Sequence, residues 1–135
     1  MRIKTITIQD FRAFSGEHTI DFSYEDNSVN LIVAENEVGK TSLLNALLWC
    51  LYEKFTRTSM EPNIILNKFS KKNNIKKARV IVELIDPSEY ESANPNIVRV
   101  TRTHRVNLPT NILKVHLEDG ISGELKDIDD PKGFV

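Results

Sequence analysis

Apolar and polar residues alternate near the N-terminus of the chain. Arg2–Gln9 places isoleucines and threonines among charged neighbours, which is typical of a strand. His18–Phe22 carries Ile20 and Phe22 on one face, and Ser15-Gly16-Glu17 before it is typical of a turn. The two segments therefore predict a β-hairpin.

A strand, a loop and a helix are predicted next. Val29–Val33 is a short apolar run that indicates a buried strand. From Lys40 to about Phe55, leucines recur at helical spacing, and other apolar residues surround them. We expect this helix to be covered nearly all round, with Trp49 in the core. The expected buried stripe consists of Leu44, Leu47, Leu48 and Leu51.

The second half of the chain contains three strand-like runs, at Ala78–Ile85, Ile97–Val106 and Ile112–Glu118. Proline- and asparagine-containing segments separate them, which favours an antiparallel meander. The lysine-rich stretch Lys68–Lys77 before these runs is predicted to be an exposed connector. The tail Ser122–Val135 carries no pattern that assigns it an element.

Composition describes one ordinary soluble domain. The chain has 135 residues, 40% hydrophobic and 27% charged, with a net charge of −1, so any nucleic-acid contact must come from a local patch. The single cysteine, Cys50, lies in an apolar setting and is expected to be a buried core residue. No apolar run approaches the ~20 residues of a membrane span, and a cytoplasmic location is expected.

The residues between the predicted strand and helix have the chemistry of a phosphate-binding loop. Such a loop needs inward-pointing backbone N–H groups, a glycine close to the phosphates, a lysine for the β- and γ-oxygens and a hydroxyl for Mg²⁺. Gly39, Lys40 and Thr41 supply the last three in order, and the helix start adds its dipole. Thr41 is the expected Mg²⁺ ligand. The loop departs from G-x-x-x-x-G-K-[ST] at its first position, Ala34, where alanine can serve if φ is negative.

Four stretches together resemble the N-terminal half of an SMC-type ABC ATPase head, a group that includes RecF, RecN, SbcC and the DndD-like defence ATPases. They are Ile8–Gly16 with its F-R-x-F element, Ile20–Phe22, Val29–Val33 and Asn36–Ala46. The resemblance is densest over the first ~55 residues. It implies an α/β fold: the N-terminal lobe of a P-loop NTPase, with central strands, one buried P-loop helix and an antiparallel β meander.

The resemblance also implies function and organisation. The chain is expected to be a single lobe, with strand, hairpin, phosphate loop and helix in 1–55, a basic connector in 56–77, the β lobe in 78–118 and an unassigned tail in 119–135. The expected cofactors are ATP and Mg²⁺, and the expected partners are the C-terminal lobe of the same head and a dimer partner. The process is expected to be DNA double-strand-break repair or defence against foreign DNA. The expected nucleotide-binding residues are Arg12, Asn36, Glu37, Val38, Gly39, Lys40, Thr41 and Ser42.

The groups needed for hydrolysis are not identified in the sequence. The only glutamine, Gln9, lies in the first strand, and Val80–Asp86 resembles a Walker B run but is interrupted by Glu83. Ile121–Glu124 resembles a signature loop without a following helix and is predicted to be a turn. We therefore identify no catalytic residue, and expect the chain to bind ATP without hydrolysing it appreciably.

Two other function classes were considered. A small GTPase is disfavoured because Asn67-Lys68-Phe69-Ser70 resembles the guanine-reading N-K-x-D but lacks the carboxylate. A non-catalytic DNA-binding or interaction module stays open, with DNA contact through Lys68–Lys77. Cationic residues on the later strands could contribute to such a module, although a solvated sheet face explains them as well. These residues are Arg99, Arg102, Arg105, Lys114 and His116.

Overall fold

The computed structural model describes residues 1–25, 28–33, 37–55, 65–90, 92–108 and 110–127. Within them, six strands and two α-helices follow one another along the chain. The elements are β1 (Arg2–Gln9), β2 (Glu17–Asp21), α1 (Glu37–Tyr52), α2 (Lys68–Lys72), β3 (Lys77–Ile85), a 3₁₀ turn (Pro87–Glu89), β4 (Ile97–Arg105), β5 (Ile112–Glu118) and β6 (Leu125–Asp127).

All six strands belong to one antiparallel sheet with the order β2-β1-β3-β4-β5-β6. The predicted hairpin of β1 with β2 and the predicted meander of β3, β4 and β5 are both confirmed. They are joined because β1 also pairs with β3, where Ile6 lies opposite Val82. The hairpin and the β lobe are therefore parts of a single sheet.

Helix α1 covers one face of this sheet. Alternate residues of the central strands point towards it, and they carry the β-branched side chains that pack well on a pleated surface. Burial of these side chains supplies the main favourable free energy of folding. The fully buried core includes Ile8, Phe11, Ala46, Trp49, Cys50, Ala78, Val80, Val82 and Val100.

The helix differs from its prediction in two respects. It begins at Glu37 and not at Lys40, because glutamate is a good helix former and its charge suits the first turn. It is also not covered all round: its buried face includes Leu43, Ala46 and Trp49, whereas the predicted stripe residue Leu44 is 49% exposed. Only one side of α1 contacts the sheet. Each residue is rotated by ~100° from the one before it, so Leu44, which follows the buried Leu43, points away from the sheet and is exposed.

The predicted buried strand at Val29–Val33 is wrong for this structure. Residues 28–33 have no regular secondary structure, and Val29, Leu31 and Val33 are between 81% and 90% exposed. A buried strand needs neighbours that satisfy its backbone groups and cover both faces. None of the six strands in the described ranges pairs with it.

The connector and the tail each contain an element that the sequence did not reveal. Lys68–Lys72 forms the short helix α2, capped by Asn67, although its lysines are exposed as expected. In the tail, β6 pairs with β5. The predicted turn at residues 121–124 is confirmed, because the Gly123 N–H bonds the Asp119 carbonyl at 2.8 Å. The rest of the tail, residues 128–135, lies outside the described residues.

Across the described ranges, no helix combines the length and the apolar character that crossing a membrane requires.

Candidate nucleotide-binding site

The first turns of α1 carry the described part of the predicted phosphate loop. The opening N–H groups of any α-helix have no partner within the helix, and the helix dipole makes this end favourable for anions. Lys40 and Thr41 are exposed here. The site therefore combines a cation and a hydroxyl at a positive helix end.

The opposite side of the same turns faces the core. Ser42 is 2% exposed and Asn45 is fully buried, so these polar side chains lie on the covered face of α1. The alternation of exposed Lys40 and Thr41 with buried Ser42 fixes which side of the helix a ligand could reach. Ser42 was predicted as a nucleotide-binding residue, and that role stays a prediction.

Gly39 leaves open space at the start of the helix. A Cβ atom built at this position would meet no atom within 4 Å. A phosphate could therefore approach the backbone closely, which is the use of glycine in such loops. Glu37 and Val38 have a helical backbone, while Ala34 and the predicted binding residue Asn36 lie outside the described residues.

Arg12 lies on the corner that follows β1. Asp10 and Arg12 have φ angles of 51° and 49°, on either side of the fully buried Phe11. The left-handed region costs a residue other than glycine roughly 1–3 kcal/mol and persists only where the surroundings impose it. Two such residues in one corner show that its shape is held by strong contacts.

Those contacts come from the segment before and within α2. The Arg12 N–H donates to the Ile65 carbonyl at 2.8 Å, and the Asn67 Nδ2 donates to the Arg12 carbonyl at 2.6 Å. Asp10 is bound as well: its carboxylate accepts from the Ser70 hydroxyl and, at 2.8 Å, from the Gly16 N–H. Desolvation by burial lowers the pKa of the Arg12 guanidinium from its ordinary value, and an arginine remains cationic under such a shift.

The corner is also attached to α1. The rings of Phe11 and Trp49 have centroids 5.3 Å apart at an angle of 32°, and both side chains are fully buried. Trp49 lies nine residues after Lys40, which corresponds to ~13 Å of helix rise. The structure thus places Gly39, Lys40, Thr41 and Ser42 together, and sets Arg12 on a separate corner that is fixed to the same helix.

Comparison with known proteins assigns the family. A profile described as an AAA domain matches residues 5–130. The chain belongs to this family of AAA domains. The chromosome partition protein Smc of Fusobacterium nucleatum subsp. nucleatum is 29% identical over 105 residues, which cover 76% of this chain and 9% of that protein. The DNA replication and repair protein RecF of Halalkalibacterium halodurans is 34% identical over 65 residues, which cover 48% of this chain and 16% of that protein.

These matches confirm the resemblance to the N-terminal part of an SMC/RecF-type ATPase head and the α/β fold class. The chain spans less than a fifth of either relative. Nucleotide binding is the activity expected of a member of an AAA family.

The acidic residues of the Walker-B-like run in this AAA domain are engaged in other contacts. Glu83 accepts from Thr5 Oγ1 at 2.6 Å and pairs with Arg99 at 2.9 Å. Desolvation acts to raise the pKa of Glu83, but these hydrogen bonds and the Arg99 charge outweigh it and lower the pKa. Asp86 caps the 3₁₀ turn, and hydrogen bonds from the backbone and hydroxyl of Ser88 lower its pKa. Glu83 and Asp86 thus both have structural partners, Thr5 and Arg99 for the first and Ser88 for the second.

The GTPase-like segment also has a structural role. Asn67 is 4% exposed, and its Oδ1 accepts from the N–H groups of Phe69 and Ser70 as the N-cap of α2. A guanine-reading asparagine would need its amide free to face a base. The sequence could have indicated the cap, since asparagine before a short polar segment is a helix-start signal.

The sheet face opposite α1 carries a groove that the sequence did not reveal. Lys77 and Arg105 lie directly opposite each other on β3 and β4, and like charges so placed destabilise a sheet. None of the described residues that line the groove is acidic. Its cationic lining consists of Lys77, Arg79, Arg99, Arg105 and Lys114, with His116 beside them.

Arg102 does not belong to this basic groove. It is 5% exposed on the α1 side of the sheet, where its Nε donates to the Cys50 carbonyl at 3.0 Å. Its guanidinium also lies 3.5 Å from the Glu53 carboxylate. Its grouping with the cations of a solvated sheet face is therefore wrong, because strand alternation places residue 102 on the face opposite that of residues 99 and 105.

Proposed function

We propose that this chain is the ATP- and Mg²⁺-binding N-terminal lobe of an SMC/RecF-type ATPase head. The observation that carries the proposal is the arrangement at the start of α1. There Lys40 and Thr41 are exposed, and the space beside Gly39 is open. An anionic phosphate chain has complementary charge to this helix end and can reach its N–H groups.

Each residue of the loop has a role in this proposal. Backbone N–H groups from Asn36 to Gly39 cradle the phosphates, the Lys40 ammonium binds the β- and γ-oxygens, and the Thr41 hydroxyl ligates Mg²⁺. Bound Mg²⁺ supplies charge neutralisation at the phosphate oxygens. Ser42 adds a polar group behind the loop, and Arg12 brings a second cation to the nucleotide.

In the complete protein, a C-terminal lobe and a dimer partner would supply the groups that ATP hydrolysis needs. The process would be DNA double-strand-break repair or defence against foreign DNA. The exposed apolar residues Val29, Leu31 and Val33 support a further lobe that covers them, because contiguous exposed apolar patches usually mark interaction surfaces. We assign residues 1–135 to one lobe, with the divisions 1–55, 56–77, 78–118 and 119–135.

The test is a thermal shift titration with Mg·ATP and Mg·GTP. Stabilisation by a ligand grows as RT ln(1 + [L]/Kd), so millimolar ATP should raise the Tm even when binding is weak. The variant Lys40→Ala should lose this shift, whereas the control Lys54→Ala should keep it, because Lys54 is an exposed lysine beyond the other end of α1. Equal shifts in all three proteins would overturn the assignment, and a larger shift with GTP would favour a guanine nucleotide.

A second proposed function is binding of a nucleic-acid backbone. Arg79 and Arg99 of the basic groove already have acidic partners, Glu17 for the first and Glu83 and Glu118 for the second. The observation that favours nucleic-acid binding is that Lys77 lies opposite Arg105 in this groove, where like charges repel. Phosphates would relieve this repulsion, and DNA binding of this type weakens as salt rises. The lysines of α2 precede Lys77 closely in the sequence, and we extend the proposed DNA contact at Lys68–Lys77 onto the sheet.

A mobility shift with duplex DNA at several salt concentrations tests this surface. The pair Arg105→Ser and Lys114→Ser should weaken binding and flatten its salt dependence. The pair Lys71→Ser and Lys72→Ser, two exposed lysines of α2, compares the connector with the sheet. The pair Lys54→Ser and Lys126→Ser is the control, since both are exposed lysines outside the groove and outside the connector. A greater loss in the α2 pair would place the contact on the connector alone, and salt-independent binding would contradict a phosphate contact.

A further inference from the structure

We propose that Asn67 is a positioning residue for Arg12 at the nucleotide site. It fixes the backbone of Arg12, from which the guanidinium extends, relative to α1. This inference rests on the proposed function, in which Arg12 contacts the bound nucleotide. Asn67 itself touches no ligand.

Both the oxygen and the nitrogen of the Asn67 side-chain amide make hydrogen bonds. Its Oδ1 accepts from the Phe69 and Ser70 N–H groups at 2.9 and 3.1 Å, which anchors it to α2. Its Nδ2 donates to the Arg12 carbonyl at 2.6 Å. A side chain that is 4% exposed and bound at both ends has little freedom, so it joins α2 to a corner 55 residues earlier in the chain.

Asp10 makes a second connection between the same two segments. Its carbonyl accepts from the Asn67 N–H at 2.9 Å, and its carboxylate accepts from the Ser70 hydroxyl. Asp10 and Ser70 are 3% and 2% exposed. Buried hydrogen bonds of this kind are costly to leave unmade, so the corner and α2 are firmly joined.

The corner that carries Arg12 is attached to α1 as well as to α2. Phe11 packs against Trp49 of α1, the helix that carries Lys40 and Thr41. Arg12 is thus held on one side by the core under α1 and on the other by Asn67. Its left-handed φ of 49° shows that this placement is imposed by the surroundings and not chosen by the residue.

The variant Asn67→Ser separates the two uses of the side chain. Serine is as good an N-cap as asparagine, but its hydroxyl replaces the longer amide that donates to Arg12. Asn67→Ala is the companion variant, because it loses the cap and the contact together. If Asn67→Ala does not fold, Asn67→Ser still reports on the contact.

The experiment is a double-mutant cycle on ATP affinity. The dissociation constant of Mg·ATP is measured for the parent, Asn67→Ser, Arg12→Ala and the double variant, with far-UV circular dichroism and the ligand-free Tm alongside. We expect Arg12→Ala to weaken binding by about 10-fold or more, the usual effect of losing a hydrogen bond to a charged group. We expect Asn67→Ser to weaken it by several-fold in the parent, and to have no further effect in the Arg12→Ala background.

Two results would overturn the inference. An unchanged affinity in Asn67→Ser would show that the contact does not position Arg12. An equal loss with and without the Arg12 side chain would show that Asn67 acts only on the fold. Failure of the proposed function looks different, because there the parent itself does not bind ATP and Lys40→Ala changes nothing.

Discussion

Cys50 shows how completely a side chain of α1 can be enclosed by the sheet. Its thiol donates to the carbonyls of Val80 and Val100 at 3.3 and 3.4 Å, and none of its surface is exposed. Desolvation by burial raises the pKa of Cys50 to about 12, against a smaller lowering by the charge of Arg102. The thiolate, which is the reactive form, is therefore scarce at neutral pH.

We expect the native protein to react slowly with a thiol reagent such as Ellman's reagent. Below the pKa the thiolate fraction rises about tenfold per pH unit, but with a pKa of about 12 it is still small at pH 9, so labelling of the folded protein should stay slow at both pH 7 and pH 9. Denaturation in urea should make the single thiol react rapidly and stoichiometrically. Rapid labelling of the folded protein would show that α1 does not pack on the sheet as described.

Glu83 is the residue whose charge contributes most clearly to stability. Its carboxylate is bound by Thr5 and by Arg99, which also pairs with Glu118 at 2.9 Å. The net effect is a lowered pKa in the folded state. Because the pKa of Glu83 is lowered in the folded state, this stabilisation is fully present at pH values above the pKa of the unfolded state, near 4.5. It is lost as the pH falls through the lower pKa of the folded state.

The variant Glu83→Gln should therefore lower the unfolding free energy by about 1–2 kcal/mol at pH 7. The difference from the parent should shrink as the pH falls below 4.5, because the parent then loses its own carboxylate charge. Urea unfolding at pH 7, 5, 4 and 3 measures it. A difference that stays constant across this range would contradict the ionic origin of the contribution.

At the scale of elements, α1 and the corner after β1 are fixed by different means. The helix is held by apolar burial against the sheet, whereas the corner is held by buried hydrogen bonds to Ile65, Asn67 and Ser70. Val29–Val33 has neither kind of support and stays exposed. Its side chains should therefore contribute little to the stability of this chain.

We expect Leu31→Glu to change the unfolding free energy by no more than about 0.5 kcal/mol, as for other exposed positions. The comparison variant Ile8→Ala should cost about 2–5 kcal/mol, because Ile8 is fully buried. Urea unfolding of both variants gives the two values. If Leu31→Glu destabilises as strongly as Ile8→Ala, residues 29–33 are buried after all.

The predictable elements are those whose signal is local. The alternation of apolar and polar residues predicted β1 to β5. The eight residues Ala34–Thr41 before the leucine-rich run predicted the phosphate loop, whose binding role stays a prediction. The core face of α1 was predicted in part, since Trp49 is buried and Leu47 and Leu51 pack against the core. Leu44 was misplaced because Leu43 and Leu44 are equally apolar, and only the position of the sheet decides between them. The contact of Asn67 with Arg12, the contact of Asp10 with Ser70 and the basic groove join distant segments, and no local pattern carries that information.

At the scale of the whole molecule, the proposed function separates ATP binding from ATP hydrolysis. Phosphoryl transfer depends on positioning the attacking water and stabilising charge in the transition state. The acids closest to a Walker B pattern, Glu83 and Asp86, have structural partners instead. The proposed phosphate loop binds its substrate without these groups, so binding and turnover can be separated experimentally.

We expect the purified chain to release phosphate from ATP negligibly, and turnover to appear only when a second lobe and a dimer partner are supplied. Loss of charge-stabilising and water-orienting groups typically costs several orders of magnitude in rate. Phosphate release by the chain and by Lys40→Ala should both equal the background. Ordinary enzyme rates that Lys40→Ala abolishes would show that a complete active site lies within these 135 residues.

Isothermal titration calorimetry of the chain with Mg·ATP tests the central claim most directly. The parent should give a saturable, one-to-one isotherm, Thr41→Ala should depend less on Mg²⁺, and Lys40→Ala should give none while keeping the parent's circular dichroism spectrum and ligand-free Tm. An isotherm in Lys40→Ala equal to that of the parent would show that the start of α1 is not where the nucleotide binds.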